Sequence, residues 1–214
     1  MPYRTTPLVI GEFYHIFNRG VAHMPIFKSK QYFKRFKKSM VYYQVDGLKP
    51  RFSLFSPTLH LLDWNKKIVE IVCYCLMPNH FHFLLKQVKD GGVSEFLRKL
   101  SNSYTKYFNT RERNRNGPIL QGEFKAVLIE SNEQLVHLSR YIHLNPLVSG
   151  IVEDLETYTW SSFPEYMGLN GENICSKEII IDQFSSLNDY QDFTLDQEAC
   201  GRELEFIKHK ILES

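Results

Sequence analysis

The chain has 214 residues, 43% of them hydrophobic and 14% aromatic, with a formal net charge of +2. That is enough to bury a core and excludes a disordered chain. No apolar run approaches the ~18 residues a membrane span needs and no signal peptide opens the sequence, so a cytoplasmic setting without membrane association is expected. The small net charge hides a split: residues 1–150 hold 22 Lys and Arg against 10 acids, and residues 151–214 hold 4 against 14. A basic body with an acidic tail points to a nucleic-acid partner, although solvated charged faces alone give the same pattern.

In chain order, Glu12–Asn18 alternates apolar and polar residues and predicts a strand ended by Arg19-Gly20. Residues 29–43 place Tyr32, Phe33, Phe36, Met40 and Tyr43 at helical spacing, with Lys and Arg opposite. Residues 48–66 carry Pro50 and Pro57 and read as loop. Ile68–Leu76 is β-prone, Met77-Pro78-Asn79 makes a turn, and His80–Lys86 is the returning strand of a hairpin. Cys73 and Cys75 alternate within that apolar run as buried free thiols, and with Cys175 and Cys200 make no disulfide framework.

After Gly91-Gly92, a helix from Ser94 to Arg111 buries Phe96, Leu97, Leu100, Tyr104 and Phe108; Asn114–Pro118 turns and Phe124–Ile129 forms another strand. Ser131 with Gln134 makes a capping box for a helix running to about Leu144, where Pro146 is expected to end it. A last helix is predicted near Gln197–Leu212. Strands and helices with a central hairpin favour an α+β fold. The natural division is a domain over 1–168 and an acidic helical extension over 169–214.

His80 and His82 flank one bulky residue on a strand, so their imidazoles share a face and can hold one divalent cation; two half-buried sheet histidines would look the same. On the 131–145 helix, Leu135, Leu138 and Ile142 form the apolar stripe, and Tyr141 and Asn145 lie one turn apart at its edge, with His137 further round. From spacing alone the plainer reading holds: Tyr141 as a core-edge aromatic and Asn145 as a helix end. Tyr104 and Tyr107 compete as nucleophiles on composition. Basic residues interleaved with aromatics cluster over 28–38 and 98–125, as in a groove tracking a phosphate backbone. Arg19, Lys34, Lys38, Lys106, Arg111, Lys125 and Arg140 are the expected DNA contacts.

The strings YCLMPNHFHFLL, SNSYTKYFN, QGEFKAVLI, RYIHLNPLVSGIV and WSSFPEYMG together resemble the REP-associated tyrosine transposases of the HUH single-strand transposase superfamily, from about Tyr14 to Gly168. The resemblance implies a ferredoxin-like domain with a central antiparallel sheet and helices packed on it. It implies His80 and His82 as metal ligands, Asn145 as the third, Tyr141 as catalytic nucleophile, and Mg²⁺ or Mn²⁺ as cofactor. The implied substrate is single-stranded or hairpin DNA, cut through a 5′-phosphotyrosine by a monomer or homodimer. Three alternatives stay open: a hairpin-binding protein without cleavage, a metal nuclease using water, and a metalloenzyme unrelated to nucleic acid. The tail finds no match in the resemblance; an autoinhibitory mask over the basic groove is one expectation for it.

Overall fold

The computed structural model describes residues 7–47, 50–56, 62–113 and 115–196. Its elements run β1 (Phe13–Arg19), α1 (Lys30–Tyr43), β2 (Val69–Met77), β3 (His80–Gln87), α2 (Gly92–Arg111), β4 (Lys125–Ile129) and α3 (Asn132–Val148), followed by the short α4 (Phe163–Tyr166), α5 (Glu178–Ile181) and α6 (Leu187–Leu195). The helix predicted near 197–212 lies outside the described residues, as does Cys200.

The four strands form one antiparallel sheet in the order β2-β3-β1-β4. With α1 between β1 and β2, and α2 between β3 and β4, this is the ferredoxin-like arrangement, and the fold is α+β as expected. A two-residue turn at Pro78-Asn79 closes the β2–β3 hairpin. Phe36 of α1 meets Phe81 and Phe83, and Phe96 of α2 meets Phe83, so both helices cover the face that carries odd-numbered β3 residues. α3 packs against β2 and β3, and the Tyr141 ring lies beside His82 on the even-numbered face. Covered on both sides, β2 is buried along its whole length except at Glu70.

Register decides which side chains share the α3 face. His82 sits opposite Phe17 of β1 and Cys75 of β2, and His80 opposite Arg19 and Met77. An irregularity between Ile71 and Cys73 shifts the pairing by one residue, which turns Cys73 and Cys75 towards α3. Cys73, Cys75 and Cys175 are buried free thiols. The outer edge of β2 is covered by residues 158–162: Leu76 donates to the Trp160 carbonyl and Ser162 to that of Tyr74.

α3 starts as predicted, with the Ser131 hydroxyl accepting from the Gln134 N–H. Gln134 reaches back to the N–H of Glu130, one residue before the expected partner. Its end differs from expectation. The helix runs through Pro146 to Val148 and closes on a Schellman motif, with Ile151 N–H bonding Pro146 O, Gly150 N–H bonding Leu147 O, and Gly150 at φ +65°. Proline removes one helical hydrogen bond; burial of Ile142, Leu144 and Pro146 offsets that loss.

Candidate active site

On the α3 face of the sheet, β1 and β3 bring three imidazoles into a row. The His80 and His82 rings lie 5.0 Å apart and perpendicular. His15 of β1 then adds a ring that the sequence reading did not single out: its Nε2 is 3.0 Å from His82 Nδ1, and the two planes differ by only 19°. The alternation of EFYHIFN puts His15 in phase with Phe17, but only the β1–β3 register reveals that it meets His82.

His80 is held from the other side. Its Nδ1 is 2.7 Å from the Asn79 side-chain oxygen, while the Asn79 Nδ2 donates to the His23 carbonyl at 3.4 Å. That carbonyl belongs to a tight loop in which Ala22 and His23 adopt left-handed φ of 50° and 58°. Such backbone costs ~1–3 kcal/mol per residue and persists only where the surroundings enforce it. Gly20 permits the loop, because a Cβ there would stand 2.1 Å from the Met24 carbonyl oxygen.

Burial keeps all three imidazoles neutral. His15 is pushed down to about 3 by burial alone. His80 falls to about 4 through burial and then electrostatic repulsion from Arg19 and His23. His82 lies well below the ordinary histidine value, through burial first and then His15 and His80. Neutral imidazoles are the form that binds metal. In both His80 and His82 the Nδ1 is engaged and the Nε2 has no hydrogen bond among the described residues, which is the pattern of a ligand oriented by its outer partner. Among the described residues, no group of three or more His, Cys, Asp or Glu is arranged so that all could hold one metal ion. The donor set therefore fits a divalent cation only as two imidazoles completed by carboxamide, water or substrate oxygens.

α3 presents Tyr141 edge-on to this row, its ring 5.6 Å from that of His82 and 6.0 Å from that of His15. Tyr141 and Asn145 are both half-buried, and the Asn145 Nδ2 donates to the Tyr141 carbonyl at 2.8 Å. Burial pushes the Tyr141 hydroxyl up, and a hydrogen bond from the Asn145 side chain opposes that rise. The other sequence candidates fall elsewhere. Tyr104 is buried on the opposite side of the sheet, its hydroxyl donating to the Ile26 carbonyl, and Tyr107 packs against Tyr32.

The expected DNA contacts do not form one surface. Arg19 and Lys125 are exposed, and their register with His80 and Phe17 puts them on the histidine face. Lys34, Lys38, Lys106 and Arg111 stand on α1 and α2, across the sheet. Several neighbours in those basic runs are occupied within the molecule: Lys37 by Glu172, Lys28 by Glu112, and Arg111 by Gln31. Arg140 is a correction. It is only 1% exposed, donates to the Asp196 carbonyl and lies 4.8 Å over the Phe193 ring, so it is a core residue between α3 and α6 and not a DNA contact. The sequence reading assumed one apolar stripe on α3, whereas α6 covers a second side of that helix.

That second side carries a buried network missed at the sequence level. His143 Nδ1 is 2.8 Å from the Tyr190 hydroxyl and its Nε2 is 2.7 Å from Ser162 Oγ, while Ser139 Oγ is 3.1 Å from Tyr190. These bonds tie the described part of the acidic segment to the helix bearing Tyr141.

With that geometry in place, comparison with known proteins is informative. A model of the family described as IS200-like transposases matches residues 63–145, a stretch that opens before β2 and ends at Asn145. The matched segment contains His80, His82, Tyr141 and Asn145, whereas His15 lies before it. A Haemophilus influenzae protein described as a REP-associated tyrosine transposase is 27% identical over 103 residues, which is 44% of this chain. The matched region spans 58% of that relative's length. The fold is shared with a solved REP-associated tyrosine transposase bound to a REP hairpin: TM-score 0.58, 16% identity, 81% of this chain and 89% of the other. Among the described residues, no helix is long and apolar enough to cross a membrane.

Proposed function

We propose that this protein is a metal-dependent endonuclease and strand transferase acting on single-stranded DNA beside a hairpin, with Tyr141 as nucleophile. The observation that carries the reading is the Tyr141 ring edge-on to His82, 5.6 Å away, beside two neutral imidazoles whose Nε2 atoms have no hydrogen bond among the described residues. The match of residues 63–145 to the IS200-like transposase model and the hairpin in the structure of similar fold support the DNA class.

A tyrosine hydroxyl has an ordinary pKa near 10 and is a weak nucleophile at neutral pH, and burial makes Tyr141 weaker still. The reaction therefore needs a polarised phosphate. Mg²⁺ or Mn²⁺ bound by His80 and His82, with Asn145 as third donor, would supply Lewis acidity at the phosphate oxygens. The chain's own residues do the rest. Tyr141 is held by α3 close to the imidazoles, and the Asn145 carboxamide favours its ionised form. Attack forms the bond between the Tyr141 oxygen and phosphorus and breaks that from phosphorus to the 3′ oxygen. The tyrosine proton leaves and the 3′ oxygen gains one. The product is a 5′-phosphotyrosine and a free 3′-hydroxyl; a second 3′-hydroxyl reverses the step on a new end without ATP. Arg19 and Lys125, on the same face, are placed to meet the backbone on either side.

A covalent-trapping assay tests this: labelled hairpin DNA with a single-stranded flank, Mn²⁺ or Mg²⁺, and a denaturing gel. The expected result is a protein–DNA adduct that disappears in Tyr141→Phe and in His82→Ala. Cleavage that persists in Tyr141→Phe without an adduct would replace the tyrosine by water, and binding without cleavage by the wild type would leave a hairpin-binding protein.

A further inference from the structure

We propose that His15 is a positioning residue whose Nε2 accepts the Nδ1–H of His82 and thereby holds His82 in the tautomer with a free Nε2 lone pair. The inference rests on the metal-site reading above and extends it to a strand outside the family-matched segment.

A hydrogen bond between two neutral imidazoles has one proton and two possible directions. If His15 donated, His82 would carry its own proton on Nε2, and that nitrogen could not coordinate a cation. If His82 donates, its Nε2 is a lone pair and His15 carries its proton on Nδ1. Either direction leaves one ring N–H without a partner among the described residues, so a cation at His82 Nε2 is what selects the second arrangement. The 19° angle between the rings keeps the N–H close to the acceptor's plane. His15 itself is 2% exposed and clamped between Phe17 and Tyr141, so it cannot turn away.

His80 gives an independent precedent within the same site. The Asn79 Nδ2 is committed to the His23 carbonyl, so its oxygen must be the atom facing His80 Nδ1, and His80 must donate. Two chemically different devices, a carboxamide on the hairpin turn and an imidazole on the neighbouring strand, thus leave the same nitrogen free on both histidines.

The test uses the full chain without DNA. Mn²⁺ affinity is read from the EPR signal of the free ion for wild type, His15→Phe and His15→Gln, and the His82 tautomer from ¹⁵N shifts of histidine-labelled wild type. His15→Phe keeps the ring volume but removes the acceptor; Gln restores an acceptor near the Nε2 position. The expected results are the Nδ1–H form of His82 in the wild type and a 10–100-fold weaker Mn²⁺ affinity in His15→Phe. His15→Gln should return to within about threefold of wild type. A wild-type His82 protonated on Nε2, or His15→Phe binding Mn²⁺ as tightly as wild type, would overturn the assignment. Should His15→Phe not fold, the ¹⁵N shifts and His15→Gln still decide it. If wild type forms the tyrosine adduct while the His15 variants bind metal normally, only this inference falls. If wild type neither binds Mn²⁺ nor forms an adduct, the function reading falls instead, and the tautomer measurement alone decides whether His15 accepts from His82.

Discussion

His82 and His143 are both buried imidazoles kept neutral by that burial, one on the sheet facing α3 and one on α3 itself. The difference is in the second nitrogen. His143 spends both: Nδ1 on Tyr190 and Nε2 on Ser162. His82 spends only Nδ1. A buried imidazole with two partners is a structural joint, and one with a spare lone pair beside a tyrosine is a candidate ligand. Depressed proton affinity does not separate the two; the count of satisfied nitrogens does.

Substitution should separate them most sharply. His82→Ala and Tyr141→Phe should each lower cleavage at least about a thousandfold, because each removes an interaction the proposed chemistry uses directly. Circular dichroism and melting should show both variants folded. His143→Ala should do the converse. It leaves the Tyr190 and Ser162 hydroxyls short of a partner and opens a cavity, costing about 2–4 kcal/mol in urea unfolding. At low temperature it should retain Mn²⁺ binding and the adduct. A His143→Ala protein as stable as wild type would remove the distinction.

Arg140 extends the comparison to a charged group on the same joint. Its replacement by Ala should destabilise the fold by about 2–3 kcal/mol through the lost bond to the Asp196 carbonyl and the lost packing on Phe193. Hairpin DNA affinity, measured by fluorescence anisotropy where the variant is folded, should stay within about twofold of wild type, since an enclosed guanidinium contacts no phosphate. A large loss of affinity with unchanged stability would return Arg140 to the DNA surface.

Protons act on both histidines alike. His15, His80, His82 and His143 all have folded-state values below the ordinary 6.5, so the unfolded chain binds protons that the folded chain refuses. Stability should be level above about pH 6.5 and fall as the pH drops towards 4, each histidine contributing up to ~1.4 kcal/mol per pH unit. His143→Phe should flatten the slope of urea midpoint against pH by one such share. An unchanged slope would mean that His143 takes up its proton in the fold. Saturating Mn²⁺ should raise the same curve without steepening it above about pH 4 if it binds His80 and His82, because burial already keeps both unprotonated in the fold there.

Much of this was legible in the sequence, for local reasons. Period-two alternation marked β1 and β3, Pro78-Asn79 marked the hairpin, and helical spacing put Tyr141 and Asn145 one turn apart. What depends on long-range pairing was not legible. His15 becomes part of the site only through the register of β1 against β3, two strands 67 residues apart in sequence at this contact. Arg140 looked exposed because α6, which covers it, is joined to α3 by contacts such as Ser139–Tyr190 that leave no local signal. Pro146 marked a helix end by local preference, and burial of the surrounding residues carried the helix past it. The basic clusters were visible, but their division between two sides of the sheet was not.

That division gives the smallest expected effect and the finest test. Arg19 and Lys125 share the histidine face, while Lys34 and Lys38 lie on α1 behind the sheet. A strand whose scissile phosphate sits by His80 and His82 can reach the first pair without bending round the molecule. Each phosphate contact on single-stranded DNA contributes ~0.7 to the slope of log affinity against log salt. Arg19→Ala and Lys125→Ala should each lower that slope by about this amount and weaken binding modestly, and Lys34→Ala and Lys38→Ala should leave it unchanged. Equal losses from both pairs would mean that DNA wraps past the edge of the sheet onto α1, with the hairpin stem and the single-stranded flank held on different faces.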